Sequence, residues 1–503
     1  MSEQSLWWER YKLTGAGASE IASAVESAVT AGLVKPGDSL PPVRDLAELI
    51  GVNPNTVAAA YRALRDRGTV ETRGRAGTRV RERPGRSERQ RSYALPEGVR
   101  DLTSGEPDPE LLPRLAPPAR IDVSHYRYGT ATESALEEQI RLRLARHFGA
   151  RESSTAGFHG SAHGPAGGSA HGSADGPVLG PAYGSSASSP DGAAAAAAEL
   201  VPRAKFVAVF GALDGIDRLL STRTRPGDKV AIEDPAWGNV LDLLASRGLT
   251  ALPMRIDDEG PDATDLRAAL AAGARAVIVT SRAQNPYGAV VSPRRSAMLR
   301  AELAAYPEVL TIDDDHGADL TPGVPRVLCG ATRQWAYLYS ASKAYGPDLR
   351  IAVLVADDGT ADRVAGQLRH TARRVSGVTQ EIWATALADE QHDAVLASAA
   401  QAYAANRAEL IGELSRRGIA AHGETGLNVW IPVPDEAGAA TGLLARGWAV
   451  APGSWFRVRS DPGVRVTIAG LRPGEAAQLA QAVAGALGRG EAGSSSAMNA
   501  VPV

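Results

Sequence analysis

From Lys205 to Val355 short apolar runs alternate with amphipathic segments, and this repeat constrains the fold more than any other feature of the chain. The runs are Phe206–Val209, Lys229–Glu233, Ala276–Thr280, Val309–Asp313, Trp335–Tyr339 and Ile351–Val355, with helical patterns over Ala212–Leu220, Gly238–Arg247 and Ser292–Ala304 between them. Strand-then-helix order predicts an α/β domain with a mostly parallel central sheet. Such folds bind ligands beyond the carboxyl ends of their strands, so the polar residues at those ends are the functional candidates.

With 503 residues the chain exceeds one core and suits two or three domains. Ser19–Ala31 carries Ile21, Ala24, Val25, Ala28 and Val29 at helical spacing, with Ser19 able to cap the start. The turn Lys35-Pro36-Gly37-Asp38 leads to a second helix, Val43–Ile50, which stops at Gly51. Asn53 can cap a third helix that Pro54 opens and that runs to Arg67. Two short helices joined by a tight turn are a helix-turn-helix. Thr69–Thr72 and Thr78–Arg81, around Arg73-Gly74-Arg75-Ala76-Gly77, add a small hairpin as a wing. The net charge of -3 conceals an asymmetry: from Arg62 to Arg91 eleven arginines face four acids. That segment calls for a polyanionic partner.

These readings divide the chain into a winged helix-turn-helix domain (α+β) at residues 1–83, a proline-flanked polar linker at 84–98, and a large domain at 99–488 that ends in a smaller C-terminal α/β part. Residues 150–199 are mostly Gly, Ala, Ser and His with almost no large apolar side chains, and are expected to be a disordered insertion; residues 489–503 read as a disordered tail. His159, His163 and His171 lack acids or cysteines at ligand spacing, so no metal site is expected. The single cysteine, Cys329, excludes an intramolecular disulfide framework. Met1–Thr30 lacks a basic start followed by an apolar stretch, and no run of about eighteen apolar residues occurs, so a soluble cytoplasmic protein is expected.

The densest chemistry follows Trp335–Leu338, in Ser340-Ala341-Ser342-Lys343-Ala344-Tyr345-Gly346-Pro347-Asp348-Leu349-Arg350. A lysine amine forms a Schiff base with an aldehyde cofactor, and Ser340, Ser342 and Arg350 are donors for a phosphate. Leu310-Thr311-Ile312 empties into Asp313, Asp314, Asp315 and His316. Carboxylates in a cleft cost desolvation unless a cation meets them, and a protonated pyridine nitrogen is such a cation. Trp237 offers a ring face beyond another strand, Asn285 in Gln284-Asn285-Pro286-Tyr287 offers an amide to a phenolic oxygen, and Gly211-Ala212-Leu213 opens a helix whose free amides suit a phosphate.

Residues 19–82 resemble the GntR family of bacterial DNA-binding domains, whose pattern the string GLVKPGDSLPPVRDLAELIGVNPNTVAAAYRALRDRGTVETRGRAGTRV follows almost end to end. The start of the third helix would enter the major groove, placing Asn53, Asn55 and Thr56 at bases or phosphates, with Arg44 before them and Arg73, Arg75 and Thr78 on the wing. Residues 101–488 resemble the class I/II aminotransferases of pyridoxal 5'-phosphate (PLP) fold type I, through DPAWGN, AQNPYG, the Asp-rich strand end and SASKAYGPDLR in family order. That resemblance implies Lys343 for the cofactor aldehyde, Asp314 for the pyridine nitrogen, and Asn285 and His316 for the ring oxygen. It further implies Trp237 for the ring face, Ser340, Ser342 and Arg350 for the phosphate, Arg465 for a substrate-type carboxylate, and Tyr128 for the phosphate of a partner subunit. His316 stands where the family usually has tyrosine, and Phe210 where a small hydroxyl is common; the spacing to His316 selects Asp314 among the three acids.

A GntR-like reader joined to an aminotransferase-like domain is the layout of the MocR transcriptional regulators, and the sequence looks most like their PtsJ-type branch, implicated in vitamin B6 salvage. The resemblance implies a homodimer on paired half-sites of double-stranded operator DNA, with PLP or an amine or amino-acid effector altering operator binding. The alternative is an active PLP-dependent aminotransferase with an appended DNA-binding domain. Both readings keep Lys343.

Overall fold

A computed structural model describes residues 17–30, 34, 37–66, 69–72, 77–80, 95–115, 135–148, 199–200 and 203–488. In the N-terminal part, helices Ala18–Thr30, Val43–Ile50 and Pro54–Asp66 bury Ile21, Val25, Leu46, Val57 and Leu64 in one core. The second helix ends at Gly51 in the left-handed region, φ 68°, where its N–H caps the carbonyls of Ala47 and Glu48. Strands β1 (Val70–Thr72) and β2 (Thr78–Val80) pair antiparallel and bring Val70 and Val80 onto the same core. The winged helix-turn-helix order follows from helical spacing, a proline start and a glycine stop. The wing tip with Arg73 and Arg75, most of the expected linker, Tyr128 and the expected tail lie outside the described residues. So does nearly all of the expected insertion, although Glu199 and Leu200 are described and helical.

After β3 (Arg100–Leu102) and the helix Ala135–His147 come β4 (Lys205–Val209), β5 (Lys229–Asp234), β6 (Thr250–Asp257), β7 (Gly260–Pro261), β8 (Ala274–Thr280), β9 (Leu310–Asp315), β10 (Gln334–Ser340) and β11 (Ala352–Ala356). They form an eight-stranded sheet in the order β4-β11-β10-β9-β8-β5-β6-β7. Strands β6, β5, β8, β9 and β10 run parallel, while β11 is antiparallel to both of its neighbours. Period-two alternation sorts β10 cleanly. Trp335, Tyr337 and Tyr339 face the helix Ala135–His147 and Trp383, whereas Ala336 and Leu338 face Ile216, Leu219 and Leu220 on the other side. Both faces are covered, which is why the central strands read as unbroken apolar runs. Sequence reading passed over β6 because only Met254 of its eight residues is fully buried.

A second sheet has the order β12-β14-β13-β3, with β12 (Asn428–Pro432), β13 (Trp448–Pro452) and β14 (Gly463–Thr467). Its last member, β3, lies at the start of the large domain; it pairs parallel with β13 through Arg100–Trp448 and Leu102–Val450. The chain entering the large domain therefore becomes part of the C-terminal sheet. No helix among the described residues is long and apolar enough to cross a membrane.

Candidate functional site

Strand β10 ends at Ser340, and Lys343 follows within the turn that leads to β11. Its Nζ donates to the carbonyl of Gly105 at 2.6 Å. Burial, together with the nearby Arg465 guanidinium, lowers the amine to about 8, against the opposing pull of Glu106 and Asp314. Roughly a tenth of such an amine is neutral at pH 7, far more than for an ordinary lysine, and the neutral form is the nucleophile.

Arg465 projects from β14 and is 1% exposed. It donates through Nη1 to Asn285 Oδ1 at 3.0 Å and through Nη2 to the Thr103 carbonyl. Its guanidinium carbon sits 4.7 Å from the Phe456 ring centroid, and its Nε is buried without a partner. Burial pushes this guanidinium down to about 10, against the attraction of Asp101. A desolvated cation held only by neutral acceptors is matched to an incoming carboxylate.

The three acids at the end of β9 have different partners. Asp313 accepts from the Leu328 N–H and from Cys329 Sγ, and burial raises it to about 6. Asp315 is ion-paired with the buried Arg282 at 2.9 Å and accepts from Tyr337 at 2.6 Å. Asp314 is the least engaged of the three: its Oδ2 lies 3.4 Å from His316 Nδ1, and its Oδ1 is buried with no partner. An orphaned carboxylate oxygen deep in a protein is costly, and a protonated ring nitrogen would relieve it. Lys343, His316, Asn285, Gly105, Ala283 and Asn428 line one pocket.

Residues that sequence reading did not single out hold these groups. Gln284 donates to Glu233 Oε2 at 3.0 Å and to the Pro235 carbonyl at 2.9 Å, and it accepts from the Tyr287 N–H at 2.9 Å, which pins the loop carrying Asn285. Glu233 also accepts from the Thr280 N–H, and burial raises its carboxyl to about 7. Arg282 reaches the carbonyls of Thr321 and Gly323 and contacts His147, tying the ends of β8 and β9 to the helix Ala135–His147. The only advance signal for this framework was polarity at strand ends, without a way to tell a scaffold residue from one in the cleft.

Gly211 (φ 90°) precedes the helix Ala212–Arg223, which opens with Ala212 and Leu213 and has no side-chain cap. The Arg350 guanidinium comes within 3.4 Å of the place a Gly211 side chain would take, and Arg350 Nη2 lies 3.5 Å from the Phe210 carbonyl. Ser340 Oγ accepts from the Ser342 N–H at 3.3 Å. A helix N-terminus, an arginine and two hydroxyls are the donor set an anion requires. Asp214, in the first helical turn, is engaged by the Phe210 N–H and Arg218 Nε. Trp237 stands half-buried just before the helix Gly238–Ser246 and packs on the cluster that contains Ile216 and Val240; no hydrogen bond among the described residues joins it to Lys343.

In the N-terminal part, Asn53 Oδ1 accepts from the Asn55 N–H at 2.8 Å and caps the third helix. Asn53, Asn55 and Arg44 are exposed, Thr56 is half-buried, and Thr78 begins β2. The structure thus presents the predicted helix start and Arg44 on open surface.

Residues 185–483 match the aminotransferase class I and II family, and residues 18–80 match the gntR family of bacterial regulatory proteins. The chain is 34% identical over 488 residues to the vitamin B6 salvage pathway transcriptional repressor PtsJ of Salmonella typhimurium, covering 95% of this chain and 100% of that protein. It is 26% identical over 464 residues to the HTH-type transcriptional regulator TauR of Rhodobacter capsulatus, covering 87% and 88%. Among solved structures, the kynurenine aminotransferase of Pyrococcus horikoshii superposes with a TM-score of 0.59 at 16% identity, over 78% of this chain and 91% of that one.

Proposed function

The chain belongs to the aminotransferase class I and II family, in the regulator arrangement that sets a gntR-family domain before it, and we propose that it is a PLP-responsive transcriptional regulator. The N-terminal domain binds operator DNA, and occupancy of the Lys343 cleft sets how tightly. The observation that carries the cofactor reading is the bare, buried Asp314 Oδ1, beside the pocket-lining His316 and within electrostatic reach of a Lys343 amine lowered to about 8.

When bound, PLP supplies an aldehyde and an electron-poor ring. In this reading Lys343 meets the aldehyde, Asp314 holds a proton on the ring nitrogen, and His316 and Asn285 donate to the ring oxygen. Ser340, Ser342, Arg350 and the helix start at Gly211–Leu213 take the phosphate, and Trp237 covers the ring. Tyr128 of a second copy would complete the phosphate site, as a homodimer on paired half-sites requires. Arg465 receives the carboxylate of an amino-acid effector. DNA affinity responds only if occupied and empty clefts favour different arrangements of the reader, and by no more than that difference in binding free energy.

Full-length similarity to a protein named a vitamin B6 salvage repressor supports PLP as the effector and regulation of B6 supply as the role. The reading as a working aminotransferase is not favoured, because the relatives matched along most of the chain are named as regulators. The test is fluorescence anisotropy of the full-length protein on its own upstream DNA, with and without PLP, for wild type and Lys343→Ala. A PLP-dependent change in affinity that Lys343→Ala abolishes is expected. Identical affinity with and without PLP, or sustained turnover of amino acids, overturns the proposal.

A further inference from the structure

The two cations of the cleft are engaged by one stretch of backbone. Arg465 holds the carbonyl of Thr103, and Lys343 holds that of Gly105. The stretch is fastened at three more points: the Thr103 N–H and hydroxyl both donate to Asp101 Oδ1, at 2.8 and 2.6 Å, and the Gly105 N–H donates to Thr467 Oγ1 at 2.9 Å. Gly105 has φ 66°, and a side chain there would come 3.0 Å from Arg465 Nη1, so the backbone lies directly against the guanidinium. Immediately upstream is β3, hydrogen-bonded to the residue before β13 through the Arg100 N–H and the Gly447 carbonyl, and upstream of that is the connection to the DNA-binding domain.

From this we infer that residues 103–105 form a displaceable strap: a carboxylate-bearing ligand takes Arg465 only by expelling the Thr103 carbonyl, and the expelled segment carries the signal through β3 to the reader domain. The inference rests on the functional reading above and specifies its regulation. A neutral carbonyl is a weaker partner for a guanidinium than a carboxylate, so the exchange runs forward when the ligand is present and reverses when it leaves. The transmission is short. One residue, Leu102, separates Thr103 from Asp101, which pairs with Ala449 in the sheet, and loss of the Arg465 anchor frees the downstream end of β3. Fold-family likeness alone does not provide this link, since it depends on a reader domain attached upstream of β3.

Hydrogen–deuterium exchange on the full-length, PLP-loaded protein, in which Lys343 would be engaged by the aldehyde and Arg465 is the cation left on the strap, tests it, following peptides that span 99–108. The probes are L-alanine, propionate as a carboxylate without an amine, and ethylamine as an amine without a carboxylate. L-Alanine and propionate are expected to speed exchange in 99–108 several-fold, and ethylamine to leave it within twofold. Thr467→Val removes the Gly105 fastening without touching either cation; it is expected to speed exchange in the same peptides without any ligand and to move operator affinity toward the liganded value. Exchange in 99–108 that is unchanged by L-alanine while operator affinity responds to it overturns the strap but leaves the regulator reading standing. Operator affinity indifferent to PLP and to L-alanine overturns the regulator reading instead. Thr467→Val exchange indistinguishable from wild type overturns the strap by itself.

Discussion

Arg465 and Asn285 come from different sheets and meet across the cleft, Nη1 to Oδ1 at 3.0 Å. The contact joins the C-terminal domain to the loop that follows β8, so the residues proposed for the carboxylate and for the ring oxygen share one hydrogen bond.

Arg465→Met should therefore separate two responses. Hydrogen bonds to a charged group contribute about 1.5–3 kcal/mol, so L-alanine is expected to bind about 10- to 100-fold more weakly. PLP loading, read from its absorbance, should be unchanged. Loss of PLP binding in a folded Arg465→Met protein would show that the arginine serves the cofactor instead of a carboxylate.

Lys343 makes the site pH-dependent in a defined direction. Folded, the amine gives up its proton near pH 8, whereas the unfolded side chain keeps it until about 10.5. Below pH 8 the cost of burying the charge is fully present; between the two values the unfolded state binds more protons, so stability rises with pH. Lys343→Met should raise the stability of the cofactor-free protein at pH 7 by about 1–3 kcal/mol, read from urea unfolding, with the gain fading by pH 10.5. In wild type the rate of PLP loading should climb with pH up to about 8 and then level off. A pH-independent loading rate would contradict the assignment of this amine.

Glu233 behaves in the opposite sense. Its folded carboxyl titrates near 7 and its unfolded one near 4.5, so the folded state holds the extra proton in between. Its stabilising contribution is complete below 4.5 and lost as pH rises through 7. Wild type should lose about 2–3 kcal/mol across that window relative to Glu233→Gln. Chemical denaturation at three pH values measures it, and parallel curves for the two proteins would refute it.

The alternating repeat from Lys205 to Val355 made the central sheet legible, because strands covered on both faces must be apolar throughout. Next to the edge the sheet was less legible: β6 is half-exposed, and its pattern carries little contrast. In the site, Lys343 and the Asp run stood out as polar residues at strand ends. Sequence spacing selected Asp314; the structure engages the other two acids elsewhere, Asp313 with Cys329 and Asp315 with Arg282. The strap was not legible. Its contacts join Thr103 and Gly105 to residues 238 and 362 positions away, through backbone carbonyls that every residue possesses.

The DNA-binding face separates recognition from adhesion. Asn55 is exposed in the first turn of the third helix, whose start Asn53 caps, while Arg44 is exposed on the preceding helix. An amide reads base edges, and losing such a contact costs about 1–3 kcal/mol on the correct sequence only. A guanidinium on a phosphate binds any sequence and releases counterions. Asn55→Ala should thus narrow the gap between operator and random DNA, with the salt dependence of binding intact. Arg44→Ala should weaken both DNAs alike and reduce the slope of log affinity against log salt by about 1. Asn53→Ala should lower the thermal midpoint of the domain through the lost cap, about 1 kcal/mol, with smaller effects on specificity. Competition titrations at several salt concentrations distinguish the three. If Arg44→Ala altered specificity and Asn55→Ala altered only the salt slope, the helix start would be lying on the phosphate backbone and the second helix would be the one in the groove.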